Sequence, residues 1–228
     1  FENKFFLLAI TFGFFFLSKL LQKKTGWVLL NPILVAIAML ICFLQFTGVS
    51  YETYSEAGSL VEFWLKPAVV ALGVPLYLQL RMIKKQLMPI LISQLAGCVV
   101  GLISVTIIAK LMGASPEVIM SLAPKSVTTP IAMEVSNAVG GIPSLTAAVV
   151  IVVGLFGAIC GFKLLQVGRV ASPIAQGLSM GTASHAVGTS RAMEVSGKYG
   201  AYASLGLTLN GILTALLSPT ILHILGLY

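Results

Sequence analysis

Aspartate is absent from the chain, and charge of either sign is scarce. The only acids are seven glutamates, and charged residues make up 9% of the 228 positions, against about 25% in an ordinary soluble domain. So few charges cannot keep a chain of 57% hydrophobic residues and mean hydropathy +1.00 in water. A soluble globular domain is therefore excluded, and the bilayer is the expected solvent. Cysteine is nearly absent too. Cys42, Cys98 and Cys160 each lie inside an apolar run, which gives neither metal-ligand spacing nor a disulfide framework. No nucleophile–base set, phosphate-binding loop or zinc spacing is present, so neither an enzyme nor a cofactor is expected. The net charge of +7 comes from basic residues standing singly at the ends of apolar runs. That is a pattern of membrane orientation, and no nucleic-acid partner is expected.

What is present is a series of apolar runs. About 20 apolar residues in a helix cross the hydrocarbon. Four long runs, 27–47, 86–112, 142–162 and 201–222, meet this readily, and 5–21 and 67–82 lie near the lower limit. No small-residue cleavage site follows Leu21, so the first run is expected to be a membrane helix and not a signal peptide. The fold class is all-α: a polytopic membrane protein with about six transmembrane helices in a single membrane domain, 1–228. Lys19, Lys23 and Lys24, then Arg81, Lys84 and Lys85, then Lys163 and Arg169 place 22–26, 81–85 and 163–172 in the cytoplasm. The segment 48–66, with Glu52, Glu56 and Glu62, falls outside, either as a loop or as a helix lying along the interface. In a bacterium this is the inner membrane.

Two stretches between these spans, 116–141 and 173–200, are polar and rich in Gly, Ser, Thr and Pro. They are copies of one another. Shifted by sixty residues, AMEVS at Ala132–Ser136 meets AMEVS at Ala192–Ser196, and Val127, Thr129, Gly140, Ser144 and Leu145 meet identical residues. The match is ten identities in nineteen ungapped positions. The repeated units are taken as 116–145 and 173–205, following N-terminal helices over 1–112. Irregular backbone at membrane depth survives only where protein buries it or where it lines a cavity. Pro124, Pro130 and the run Val127-Thr128-Thr129 break the first copy. Gly181, Gly188 and the polar residues between them break the second. Half-helices starting near Pro130 and Ser190 would aim free N–H groups at an anion, and paired interrupted segments point to a transport site. Two arrangements fit: re-entrant hairpins entering from opposite faces, which makes the copies inverted, or discontinuous full crossings, which makes them parallel.

Ionisable groups at membrane depth cost roughly 2.5–3.5 kcal/mol on insertion scales, so each needs a reason. Lys125 and Arg191 are candidates for holding a carboxylate. Glu134 and Glu194 are candidates for carrying a coupling proton, and His185 for handling proton or substrate. Ser126, Thr128, Thr129, Ser184 and Thr189 offer hydroxyls at the breaks. The competing account has the charges neutralising one another, for instance Lys125 with Glu194, and the hydroxyls capping half-helices. Asn137 and Asn210 fit bonds between helices. Gly97 with Gly101, and Gly157 with Gly161, match GxxxG, which serves packing within one subunit or between copies.

The stretches APKSVTTPIAMEVSNAVGGIPSLTA and GLSMGTASHAVGTSRAMEVSGKYGAYASL resemble the two signature stretches of the LrgB/CidB family. LNPILVAIAML and FWLKPAVVALGVPLY extend the resemblance along the whole chain. It implies an antiholin-like protein linked to murein hydrolase control and lysis beside a smaller LrgA/CidA-type membrane partner. It also implies the small-monocarboxylate class (glycolate, glycerate, pyruvate or lactate), because a plastid relative moves glycolate and glycerate. Two functions therefore stand side by side: a secondary carrier working by alternating access, and a holin-type oligomer.

Overall fold

The computed structural model describes residues 3–26, 30, 32–71, 77 and 80–227, and all regular structure among them is helical. The helices form two compact units, Phe1–Leu72 and Gly73–Tyr228. Four helices are long and apolar enough to cross a bilayer, Lys4–Thr25, Leu87–Leu111, Pro143–Val167 and Gly197–Ile224. The chain is an all-α polytopic membrane protein.

In the first unit α1 (Lys4–Thr25), α2 (Pro32–Thr47) and α3 (Tyr51–Ala71) pack through Leu7, Val49 and Ala57, with Phe43, Leu44 and Tyr54 around them. Asn3 caps α1 by accepting from Phe5 N at 2.9 Å, and Gly26 ends it at φ 67°. Thr11 and Tyr54 share a hydroxyl hydrogen bond, and Lys4 pairs with Glu56 at 3.0 Å. One expectation is corrected here. The acid-rich 48–66 segment and the start of the 67–82 run form a single helix, α3, with Pro67 in its interior. Ser50 starts it by accepting from Thr53 N at 3.2 Å. The rest of the 67–82 run lies largely outside the described residues. Most of α1 is exposed, with Phe5 at 76% and Phe16 at 63%, as a lipid-facing helix would be.

The second unit contains α4 (Leu80–Lys85), α5 (Leu87–Leu111), α6 (Pro116–Leu122), α7 (Thr129–Ala138), α8 (Pro143–Val167), α9 (Pro173–Val195) and α10 (Gly197–Ile224). The first repeat copy is α6, a turn and α7. At 1.5 Å per residue its two arms are only about 10 and 15 Å long, and they double back. Ile142 N, beyond the second arm, donates to Ser121 Oγ on the first at 2.7 Å. Thr146 Oγ1 sits 2.9 Å from Ser121 O and 2.7 Å from Ser136 Oγ. The copy enters and leaves at one level, as a re-entrant hairpin. α8 then runs the other way to the second copy.

The second copy is α9, which carries a kink where Ser184 (φ −131°, ψ 18°) and His185 (φ 42°, ψ −138°) leave helical geometry. It doubles back as well. Gly188 lies against Met180 O, and Ala192 shares an apolar cluster with Met180 and Ala203. The break thus falls at 184–185, and the second half-helix starts several residues before Ser190, the start expected from sequence. The reason is packing. Gly181 and Gly188 do not break the helix but let backbones touch, Gly181 against Ala203 O and Gly188 against Met180 O. α10 runs alongside the ingoing arm, with Tyr199 O against Gly177. Since α8 alone separates the hairpins, they enter from opposite ends of the unit.

Candidate functional site

A cavity of about 760 Å³ lies inside the second unit. It extends from Gln86 and Ser172, beside the first turns of α5 and α9, to Lys125 and Ser126 in the turn of the first hairpin. Its walls come from α5 (Ser93, Gln94, Gly97, Gly101), the ingoing arm of α9 (Ser179, Thr182) and α10 (Asn210, Thr214). Among the described residues of this lining, Lys125 is the one charged side chain. Its Nζ donates to Ser126 Oγ at 3.2 Å and makes no ion pair with any described carboxylate. The proposed neutralisation by Glu194 is not formed. An ammonium held at membrane depth without a counter-ion among the described residues creates a positive site with room for an anion beside it.

The turn is fixed from behind. Asn210 is 2% exposed, and its Nδ2 donates to Ser126 O at 3.3 Å and to Thr182 O at 3.0 Å. One amide thus serves a carbonyl in the first break and another just ahead of the kink in the second. The Thr182 hydroxyl in turn lies 2.6 Å from Gln94 Oε1. Buried carbonyls at this depth need such donors. The network ties α5, α9, α10 and the first hairpin together around the cavity.

The other residues singled out from sequence do not join Lys125 and Ser126. His185 is 4% exposed, and its Nε2 lies 2.8 Å from Val150 O. Ser184 is packed against Gly157, and Thr189 donates to His185 O at 2.8 Å. His185 and Ser184 form a closed seam between α8 and α9, and Thr189 is buried on the returning arm of α9. Thr128 is the N-cap residue of α7 but makes no side-chain cap bond, and Thr129 opens the helix before Pro130. Arg191 pairs with Glu194 at 2.7 Å on the exposed returning arm of α9. With the kink at 184–185, these two sit well down that arm and away from the cavity. Glu134 is exposed on α7. Conversely, Gln94, Thr182 and Thr214 were not singled out from sequence, because a lone polar residue in an apolar helix carries no local signal. The sixty-residue register also pairs Gly97 with Gly157 and Gly101 with Gly161, which marks α5 and α8 as equivalent walls.

Comparison with known proteins places the chain in a family. Residues 11–224 match the LrgB-like family. Holin-like protein CidB of Staphylococcus epidermidis is 37% identical over 216 residues, covering 95% of this chain and 94% of its own. The Staphylococcus aureus protein of the same name is 36% identical over the same span. YwbG of Bacillus subtilis is 37% identical over 205 residues, covering 90% of this chain and 91% of its own. No solved structure matches. Long apolar helices, two inverted hairpins and a match along nearly the whole length lead to one conclusion: the chain is a multi-pass bacterial membrane protein belonging to the LrgB-like family.

Proposed function

We propose that this protein is a secondary carrier of small monocarboxylates, the glycolate, glycerate, pyruvate and lactate class. The observation that carries the reading is the unpaired Lys125 ammonium at the end of a 760 Å³ cavity, in the turn of one of two oppositely directed hairpins. A single positive charge suits a monoanion, and the Ser126 hydroxyl and neighbouring polar groups suit its other oxygens. The basic residues near Gln86 and Ser172 put the mouth of the cavity on the cytoplasmic side. The substrate class rests on the resemblance of the two signature stretches, and the chemistry involved is binding without bond making.

The test is uptake of labelled glycolate, pyruvate and lactate into proteoliposomes, with and without a pH gradient. Uptake saturates, Lys125→Gln abolishes it, and Lys125→Arg retains a fraction. Uptake unaffected by Lys125→Gln removes the reading.

A second reading is favoured by the holin-like naming of the staphylococcal relatives and by the exposed apolar face of α1. Here the chain acts as an oligomer, or with an LrgA/CidA-type partner, to modulate murein hydrolase activity and lysis. It predicts release of a trapped dye too large for a carrier from the same vesicles, with no saturation by carboxylates.

A further inference from the structure

A second, more open hollow of about 460 Å³ lies at the other end of the second unit, with Ile108 (56% exposed) and Met112 (82% exposed) on its walls. Its walls are the later turns of α5 (Ser104, Val105, Ile108), the loop after it (Met112, Ala114) and Leu122 of α6. Among the described residues, Lys125 alone borders both this space and the larger one. Among the described residues no carboxylate lines either space to cancel the ammonium or repel an anion.

We propose that the second cavity is an outer binding site for the same small carboxylate, and that Lys125 is the cation common to both sites. The inference rests on the carrier reading and deepens it. Asn210 holds the backbone of the turn through Ser126 O, while the lysine side chain is a flexible four-carbon stem with a rotatable donor head. The ammonium can thus turn toward either space with the turn in place. An anion held by it passes the boundary without losing its counter-charge, and a small cation meets the same charge as a barrier from either side. The rest of the outer lining is largely apolar, so Lys125 is what gives that space its selectivity.

Thiol labelling tests the proposal without relying on transport. In a chain whose native cysteines are replaced by serine, Ser179→Cys reports on the larger cavity and Ala114→Cys on the outer one. Each is treated in proteoliposomes with a sulfonate-bearing and an ammonium-bearing methanethiosulfonate. The ratio of anionic to cationic labelling rates falls about five- to tenfold at both positions when Lys125→Gln is added, as expected for removal of a nearby charge at low dielectric. Lys125→Arg preserves the ratio, whereas a general loss of structure would change both reagents alike. If Lys125→Gln does not fold, lactate protection in the chain that keeps Lys125 decides instead, and lactate slows labelling at both positions. A ratio that falls at 179 and is unchanged at 114, or lactate protection confined to 179, overturns the shared site. Uptake that fails for every carboxylate while both ratios shift sinks the carrier reading and leaves the shared cation standing.

Discussion

The two hairpins are one sequence motif put to two uses. Under the sixty-residue register Lys125 corresponds to His185, Ser126 to Ala186 and Val150 to Asn210. The contacts follow that correspondence across the unit. His185, in the second break, bonds to Val150 on the helix after the first copy. Ser126, in the first break, bonds to Asn210 on the helix after the second copy. Each break therefore docks on the same register position of the helix that follows the other copy, which is the reciprocity an inverted pseudo-two-fold demands. The difference lies in what surrounds the breaks. Gly154, Gly157 and Gly161 of α8 are filled by His185, Ser184 and Met180. Of their counterparts on α5, Gln94 is itself buried, while the two glycines are open: a Cβ at Gly97 would meet only a Thr182 methyl at 3.4 Å, and nothing lies within 4 Å of a Cβ at Gly101. One copy is a closed seam. The other keeps space, and its basic residue faces that space.

The sharpest way to break the comparison is to fill both glycine stripes. A Cβ at Gly157 would overlap Ser184, so Gly157→Leu is expected to cost about 3 kcal/mol or more and to abolish recovery of folded protein. Gly101→Ala meets open space and is expected to change stability by no more than about 0.5 kcal/mol. Thermal stability of the detergent-solubilised protein, read by size exclusion, checks both. Equal losses would mean that the halves are packed alike and that the cavity is not part of the resting structure.

Asn210 ranks next. Asn210→Leu leaves Ser126 O and Thr182 O without their side-chain donor and is expected to cost about 1–3 kcal/mol. It also frees the turn that carries Lys125, so the Michaelis constant for the carboxylate should rise more than stability falls. The reverse pattern, a large stability loss in a population that still transports normally, would mean that Asn210 is only a helix tie.

His185 tests the closed seam. His185→Leu removes one hydrogen bond to a helix carbonyl and is expected to cost about 0.5–1.5 kcal/mol. Because His185 lines neither of the two spaces that Lys125 borders, the pH profile of uptake should keep its shape. A displaced profile would restore the proton-handling role that the sequence suggested for it.

How much of this was legible beforehand follows from the physics of each signal. The membrane spans and the two copies were readable because hydropathy and a repeated AMEVS survive any tertiary arrangement, whereas the copies' direction was open until each was seen to double back. Lys125 and Ser126 were readable because Pro124 and Pro130 bracket them at membrane depth. The place of the second break was not. Several Gly and Ser residues between 181 and 190 allow a break, and the fit of Ser184 and His185 against the α8 glycines chooses among them. The extent of α3 was hidden as well, because acids outside and apolar residues beyond read as two segments, while the backbone continues as one helix. The wall residues Gln94 and Thr182 became meaningful only once three helices had been brought around one space.

The smallest expected effect concerns Arg191 and Glu194, which the sequence placed beside Lys125 and the structure places on the exposed returning arm. The pair is an i,i+3 contact at 2.7 Å with both side chains substantially exposed, 46% and 65%. Solvent screens such a pair, and breaking it is expected to change stability by no more than about 1 kcal/mol. Arg191→Ala and Glu194→Ala should each leave carboxylate uptake within about twofold of the parent, since neither residue borders the cavity and 1.4 kcal/mol is needed for a tenfold change. The comparison with Lys125 is then direct. Both cations come from the repeated segments, one alone at a cavity and one paired at a surface. If charge at the cavity is what matters, Lys125→Gln abolishes uptake while Arg191→Gln does not. A collapse of uptake in Arg191→Ala with unchanged thermal stability would place the returning arm in the substrate path and end the asymmetry argued for the two hairpins.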